Sequence, residues 1–266
     1  MDAVKSKNEL ISIWTRLVED RGGVPAAGDG VSYLWADSTF AFWNTLTLTG
    51  EDIPAEDLSE QLVRAADFLE SHEQDGYLWL FEELLSPRAR DELEQRAEDA
   101  GLEIAFSGRG MSGELSLDEP RHPELVFRRV ETEDDLETYG EINALAYDMP
   151  PIVGREALAG SKIWLDDAYA YLGYRDGQAV TCAAAIGSTD SIFVALVATL
   201  PGHQDRGYGE AISRKAIFEG IRGTGHRRVV LHATAEGEPV YERIGLRPNT
   251  VIHFLQPIGT VDDVGD

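Results

Sequence analysis

The chain has a single cysteine, Cys182, in 266 residues. One thiol cannot close an internal disulfide, which excludes a disulfide-stapled scaffold, and without a second cysteine a zinc-thiolate cluster lacks its ligands, so no metal is expected. Long hydrophobic runs are missing too. No stretch reaches the ~18 to 20 consecutive apolar residues of a membrane span, and MDAVKSKNELISIW lacks the apolar run of a secretion signal. The chain therefore reads as cytoplasmic, with no membrane partner. Basic residues are scarce: 23 Lys and Arg stand against 48 Asp and Glu, a formal charge of -25. Such a field repels nucleic acid and anionic surfaces through the Coulomb term that draws basic proteins to them.

What is present is the composition of an ordinary globular protein, with 43% apolar residues, enough to build real cores. The length favours two modest domains over one large one. LDEPRHP, at 117–123, breaks periodicity with two prolines and charged residues, the composition of an exposed linker. The expected organisation is a first domain over 1–117, a linker over 118–124, a second domain over 125–257 and a loose acidic tail over 258–266. Within 201–250 the charge balance inverts, with basic residues such as Arg206, Arg214, Arg227 and Arg243 outnumbering the acids. Either a small anionic ligand or solvated helix faces would account for that.

The elements expected in the first half are a strand over Phe40 to Leu48, a helix over Ala55 to Ser71, a strand over Tyr77 to Phe81 and a helix over Arg88 to Ala100 that Gly101 stops. Trp14, Trp35, Trp43 and Trp79 also lie here, and core packing explains them better than a cofactor pocket does. The second half reads as strand Leu125 to Val130, helix Thr132 to Tyr147, a helical stretch near Gly154 to Trp164, and a hairpin turning at Asp176-Gly177. A nearly unbroken apolar strand, Ser191 to Leu200, follows and is expected to be central in its sheet. After it come a helix over Gly207 to Arg222, a strand over Arg227 to Ala235, a short helix entered at Pro239 and ended at Gly245, and a strand near Thr250 to Gln256.

The chemistry is concentrated in VATLPGHQDRGYGEAI, 197–212, where an apolar strand feeds a turn with Gly202, Gly207 and Gly209 and then a helix. Glycines let a ligand approach the backbone, and the first-turn N–H groups, unpaired within the helix and at its positive end, favour phosphate. The Gly-Lys-Ser/Thr of a Walker loop is absent, and Ile212 replaces the third glycine of the dinucleotide pattern.

This segment resembles the Gln/Arg-x-x-Gly-x-Gly/Ala signature of the GNAT superfamily of acetyl-coenzyme A dependent N-acetyltransferases, matched by Gln204, Gly207 and Gly209. A second block, LHATAEGEPVYERIGLRP, is similar to the family's strand and short helix, with Tyr241, Gly245 and Leu246 in place. The resemblance covers about half of the chain and implies a GNAT fold, a mixed-sheet α/β architecture. It implies that acetyl-coenzyme A pairs its pantetheine arm with the backbone of Val197 and Thr199. It also implies that the pyrophosphate rests on the amides of Gln204, Asp205, Arg206, Gly207, Tyr208, Gly209 and Glu210. Glu210 is unhelpful there unless its side chain turns outward. Tyr241 matches the tyrosine that protonates the departing thiolate, the alternative being an aromatic that packs between strands. The glutamate common on the family's central strand is missing, which leaves the base open among Asp148, Asp190 and Glu238.

The implied activity is acetyl transfer to a primary amine by direct attack, and the chain's charge favours a cationic acceptor. The alternatives are a non-catalytic acyl-coenzyme A sensor or assembly module and a tandem enzyme like mycothiol synthase. The first half repeats the second in outline without the glycine loop, so it is expected to be a degenerate GNAT-like domain, or else an unrelated α/β cap. The histidines lack metal-ligand spacing. His203 reads as a loop residue, His232 as a sheet residue and Cys182 as a small buried hydrophobe or, less simply, a reactive thiol.

Overall fold

The computed structural model describes residues 3–260. In chain order the elements are α1 (Ala3–Asp20), β1 (Ala26–Gly28), β2 (Val31–Trp35), β3 (Asn44–Leu48), α2 (Ala55–Glu70), β4 (Tyr77–Phe81), α3 (Pro87–Asp91), α4 (Leu93–Asp99), β5 (Leu102–Glu114), β6 (Val126–Arg129), α5 (Glu133–Ala146), α6 (Pro151–Leu158), β7 (Tyr169–Arg175), β8 (Gln178–Gly187), β9 (Ile192–Thr199), α7 (Tyr208–Thr224), β10 (Arg228–Ala233), α8 (Glu238–Ile244) and β11 (Arg247–Pro257). The loose tail expected from 258 onward falls, beyond Thr260, outside the described residues. The described chain divides into two compact units, one of residues 3–111, 233–235 and 248–260, the other of 112–232 and 236–247.

In the first unit the strands lie in the order β1-β2-β3-β4-β11-β5. β1, β2 and β3 form an antiparallel meander, α2 then crosses to bring β4 parallel to β3, and β11 pairs antiparallel with β4, Phe254 opposite Trp79. Successive residues of a strand face opposite sides. Leu78, Leu80 and Leu255 therefore meet Leu58, Leu62 and Leu69 of α2 and Leu93 and Ala97 of α4. Trp79 and Phe254 face the other way, with Trp14 of α1 5.2 Å from Trp79 and Phe106 stacked 4.3 Å from Phe254. The tryptophans of this half are core residues.

Three expectations change here. The strand read as starting at Phe40 starts at Asn44, because Ala41–Trp43 winds into a short 3-10 turn. The helix over 88–100 is two helices, interrupted where Glu92 leaves helical backbone angles. The strand near 250–256, expected to complete the second domain, pairs instead with β4. A local apolar pattern marks a strand without naming its partner.

The second unit has the order β10-β9-β8-β7-β6. The hairpin turns where expected, with Asp176 and Gly177 both at positive φ, and β7, β8 and β9 are antiparallel. β9 then crosses through α7 to the parallel strand β10. α7 covers one side of the sheet, packing Ile212 and Ala216 against Tyr171, Ala183, Ala185 and Ile192. α5 begins at a capping box between Thr132 and Asp135 and buries Leu136, Tyr139, Ile142 and Asn143. It crosses α6 glycine against glycine: a β-carbon on Gly140 would stand 2.1 Å from the Gly154 carbonyl oxygen, so no larger residue fits. No helix among the described residues is long and apolar enough to cross a membrane.

Candidate functional site

β9 carries two irregularities that follow from its pairing. Towards β10 the ladder runs from Ile192–Val229 to Val194–Leu231, while β9 continues to Thr199. Its last residues therefore lie past the β10 pairing, and the parallel strands part there. Towards β8 the register jumps: Ala195 faces Ala184 and Ala198 faces Cys182, which leaves Leu196 and Val197 opposite Ala183 alone. This is a β-bulge, and Leu196 occupies it with φ 47, a left-handed angle that a leucine β-carbon disfavours. The Leu196 carbonyl accepts hydrogen bonds from Tyr139 Oη at 2.8 Å and Asn143 Nδ2 at 2.9 Å.

The glycine turn comes next. Gln204 Nε2 donates to the Thr199 carbonyl at 3.4 Å, and the His203 amide donates to Leu200 O at 3.0 Å. Gly207 is the first residue of the cap, at φ 77, and has no side chain with which to cap α7. The first-turn amides of Tyr208, Gly209 and Glu210 precede the point at which helical hydrogen bonds begin, so they face outward at the positive end of a long helix. A β-carbon on Gly209 would lie 3.5 Å from Thr199 Oγ1, an ordinary contact.

Glu210 turns away from this opening. Its carboxylate bridges Arg214 at 2.9 Å and Arg243 at 2.8 Å, tying α7 to α8. Partial burial works against its charge, yet the two guanidiniums hold the carboxyl below the usual range. Tyr208 contributes its backbone to the turn and sends its side chain inward, where the hydroxyl donates to Glu124 Oε2 at 2.6 Å. Desolvation and that carboxylate raise the phenol, and the Tyr208 hydrogen bond lowers the Glu124 carboxyl. Arg206 is exposed and lies within electrostatic reach of Glu124.

Tyr241 is buried on α8. Desolvation and the neighbouring Tyr147 push its phenol well up, against the polar Ser213 hydroxyl beside it. Ser213 Oγ donates to the Gly209 carbonyl at 2.7 Å, so one α7 serine lies against both the glycine turn and Tyr241.

Several residues that sequence reasoning passed over belong here. His122 and Glu124, taken for linker, lie against the turn, with the His122 ring 5.1 Å from that of Tyr208. Tyr139, Asn143 and Ser213 carried no motif; the only signal was a polar residue inside an otherwise apolar helix face. Of the candidate bases, Asp190 is exposed just before β9, at most roughly 30 Å along the chain from Thr199 and at the opposite end of the strand, which removes it from the group. Asp148 is exposed with φ 55 in the turn after α5, and Glu238 opens α8. His232 packs edge-on to Phe193. Cys182 is buried and its thiol is pushed far up by desolvation, so the reactive-thiol reading is dropped. Among the described residues no cluster of His, Cys, Asp and Glu can hold a metal ion.

No protein-family model matches the chain, and neither does any curated protein. Solved structures do. A GCN5-related N-acetyltransferase from Kribbella flavida aligns over 96% of this chain and 96% of its own, at 18% identity and a TM-score of 0.68. A GCN5-related N-acetyltransferase from Sphaerobacter thermophilus aligns over 89% and 80%, at 14% identity and a TM-score of 0.61. A tandem GNAT protein from the clavulanic acid biosynthesis pathway aligns over 82% and 76%, at 15% identity and a TM-score of 0.54. The chain has the GNAT fold.

Proposed function

We propose, with the GNAT fold as premise, that the second unit binds acetyl-coenzyme A along the end of β9 and the start of α7 and transfers its acetyl group to an amine. The observation that carries this reading is the parting of β9 from β10 after Val194 and Leu231, directly ahead of a long helix begun by an uncapped glycine. The strand carbonyl of Val197 and the amide and carbonyl of Thr199 are there for an extended amide-bearing arm. The turn from Gln204 to Glu210 offers backbone donors to a pyrophosphate, each such charge-assisted bond worth about 1.5–3 kcal/mol. Glu210 does not oppose this, because its charge is spent on Arg214 and Arg243.

In the transfer, the attacking amine forms a bond to the thioester carbon as the carbon–sulfur bond breaks and the sulfur leaves as thiolate. Tyr241 is the proton donor to that sulfur. Its raised phenol is fully protonated at neutral pH, and Ser213, which bonds the turn at Gly209, lies beside it. The acceptor must arrive neutral, which a free amine with a pKa near ~10.4 does only after losing a proton. Asp148 and Glu238 are the candidates to take it, directly or through water. The chain's charge of -25 favours a cationic acceptor such as a polyamine, an amino sugar or a lysine-bearing peptide.

Titration calorimetry of the intact protein with acetyl-coenzyme A, followed by thiol-release assays over a panel of amines at low and high salt, tests the reading. Micromolar binding with amine-dependent thiol release supports it, and absent binding overturns it. A second reading, a non-catalytic acyl-coenzyme A module, is favoured by one observation: β9 carries no carboxylate. Binding without release across the panel would select it.

A further inference from the structure

We infer that Tyr139 and Asn143 are positioning residues for the acetyl transfer, because together they hold the Leu196–Val197 peptide of β9 in its bulged orientation. This rests on the proposed function. A trans peptide is planar, so its C=O and N–H point in opposite directions. Tyr139 Oη and Asn143 Nδ2 both draw the Leu196 carbonyl towards α5, which turns the Val197 amide away from α5, on the stretch of β9 that has left its β10 partner. An amide so fixed is a donor for the thioester oxygen as it gains charge, and a donor held in place before reaction is worth more than one that must be reoriented.

Three observations show a device built for that orientation. Leu196 sits at φ 47, a conformation that a leucine does not choose unaided. Both donors are buried, Tyr139 fully and Asn143 at 1% exposure, and burial keeps the Tyr139 phenol protonated and thus a donor. Asn143 Oδ1 has no hydrogen-bond partner, so the amide is set by its nitrogen end, towards Leu196 and Cys182 Sγ at 3.2 Å, at the expense of its oxygen.

The test uses Tyr139→Phe and Asn143→Leu, singly and together, each with and without Leu196→Gly, since glycine adopts the left-handed angle freely. Turnover, KM and acetyl-coenzyme A affinity are measured per folded molecule. Each single substitution is expected to lower kcat about 5- to 20-fold and the pair more than ~100-fold, with coenzyme affinity changed less than about threefold. Leu196→Gly is expected to restore about tenfold or more of the pair's loss. A merely structural role gives lost stability without that recovery. An active wild type whose pair keeps kcat within about threefold, or whose loss glycine does not restore, overturns the inference alone. A wild type that neither binds coenzyme nor turns over overturns the function and the inference with it. If the pair fails to fold, Tyr139→Phe decides by the same comparison with Leu196→Gly.

Discussion

Each unit contains a strand that crosses through a helix to a parallel neighbour, β3 through α2 to β4 and β9 through α7 to β10, and the two crossovers differ at every point where a phosphate-bearing ligand would touch. After β3 the loop points carbonyls inward: the buried Lys7 ammonium donates to Thr49 O at 2.5 Å and to Gly50 O at 3.3 Å. Glu51 and Asp52 lie in that loop, and Glu56 and Asp57 in the first turn of α2. After β9 the turn presents amides outward. The β3–β4 ladder reaches Thr47–Trp79, where Thr47 Oγ1 also bonds Trp79 O at 2.8 Å, and Ile53 bridges Leu85 beyond it. The β9–β10 ladder stops well before β9 does. The same topology can thus be closed or open, and the choice lies in a handful of loop residues and in where the strand pairing ends.

The widest separation between the two halves should come from Tyr241→Phe. If the phenol protonates the leaving sulfur, turnover falls by about 10²- to 10⁴-fold while acetyl-coenzyme A affinity, read by calorimetry, barely moves. A variant keeping more than about a third of wild-type turnover would make Tyr241 a packing residue. Gly207→Val comes next. A β-branched residue at φ 77 is strained by about 1–3 kcal/mol, so coenzyme affinity should drop roughly 10- to 100-fold. Thr49→Val in the closed loop should leave it unchanged, and equal effects from both would erase the contrast.

The closed loop has its own test in Lys7→Met, which strips two buried carbonyls of their donor and should cost about 1–3 kcal/mol in denaturant unfolding with coenzyme affinity intact. Burial lowers the Lys7 ammonium from 10.5, so between that lowered value and 10.5 the unfolded chain binds a proton the folded one has shed. Stability rises with pH across that window, and the methionine variant should lose that part of the slope. The smallest effect is expected from Glu210→Gln. Its lowered carboxyl contributes stability that is complete above pH 4.5 and lost as pH falls through the folded value, a few tenths of a kcal/mol for so exposed a pair. An unchanged acid limb would show that the bridge to Arg243 adds nothing.

What could be read from the sequence was what is local. The apolar run of β9, the glycine turn and the amphipathic α7 are contiguous, so periodicity and turn chemistry revealed them, and the GNAT fold they implied is the fold observed. α1 and most of β5 went unassigned: β5 holds Gly108 and Gly110, residues that read as strand breakers in the absence of the neighbours that crowd them. The bulge was invisible because it is a mismatch of register between two strands, and neither strand shows it alone. Tyr139, Asn143 and Lys7 carry no motif, and burial and partnership are properties of the folded chain.

The insertion of β11 between β4 and β5 bears on how the chain is made. The first unit cannot finish its sheet from the residues that precede it; it waits for 247–257 to leave the ribosome, at roughly 5–20 residues per second. Until then β4 and β5 expose unpaired edges, apolar on both faces at Leu78, Trp79 and Leu80, the kind of surface that recruits other strands. Expression of 1–117 alone should therefore yield aggregate. Supplying 247–257 as a separate peptide should rescue it, and fast, dilute or chaperone-assisted synthesis should raise the yield of the whole chain.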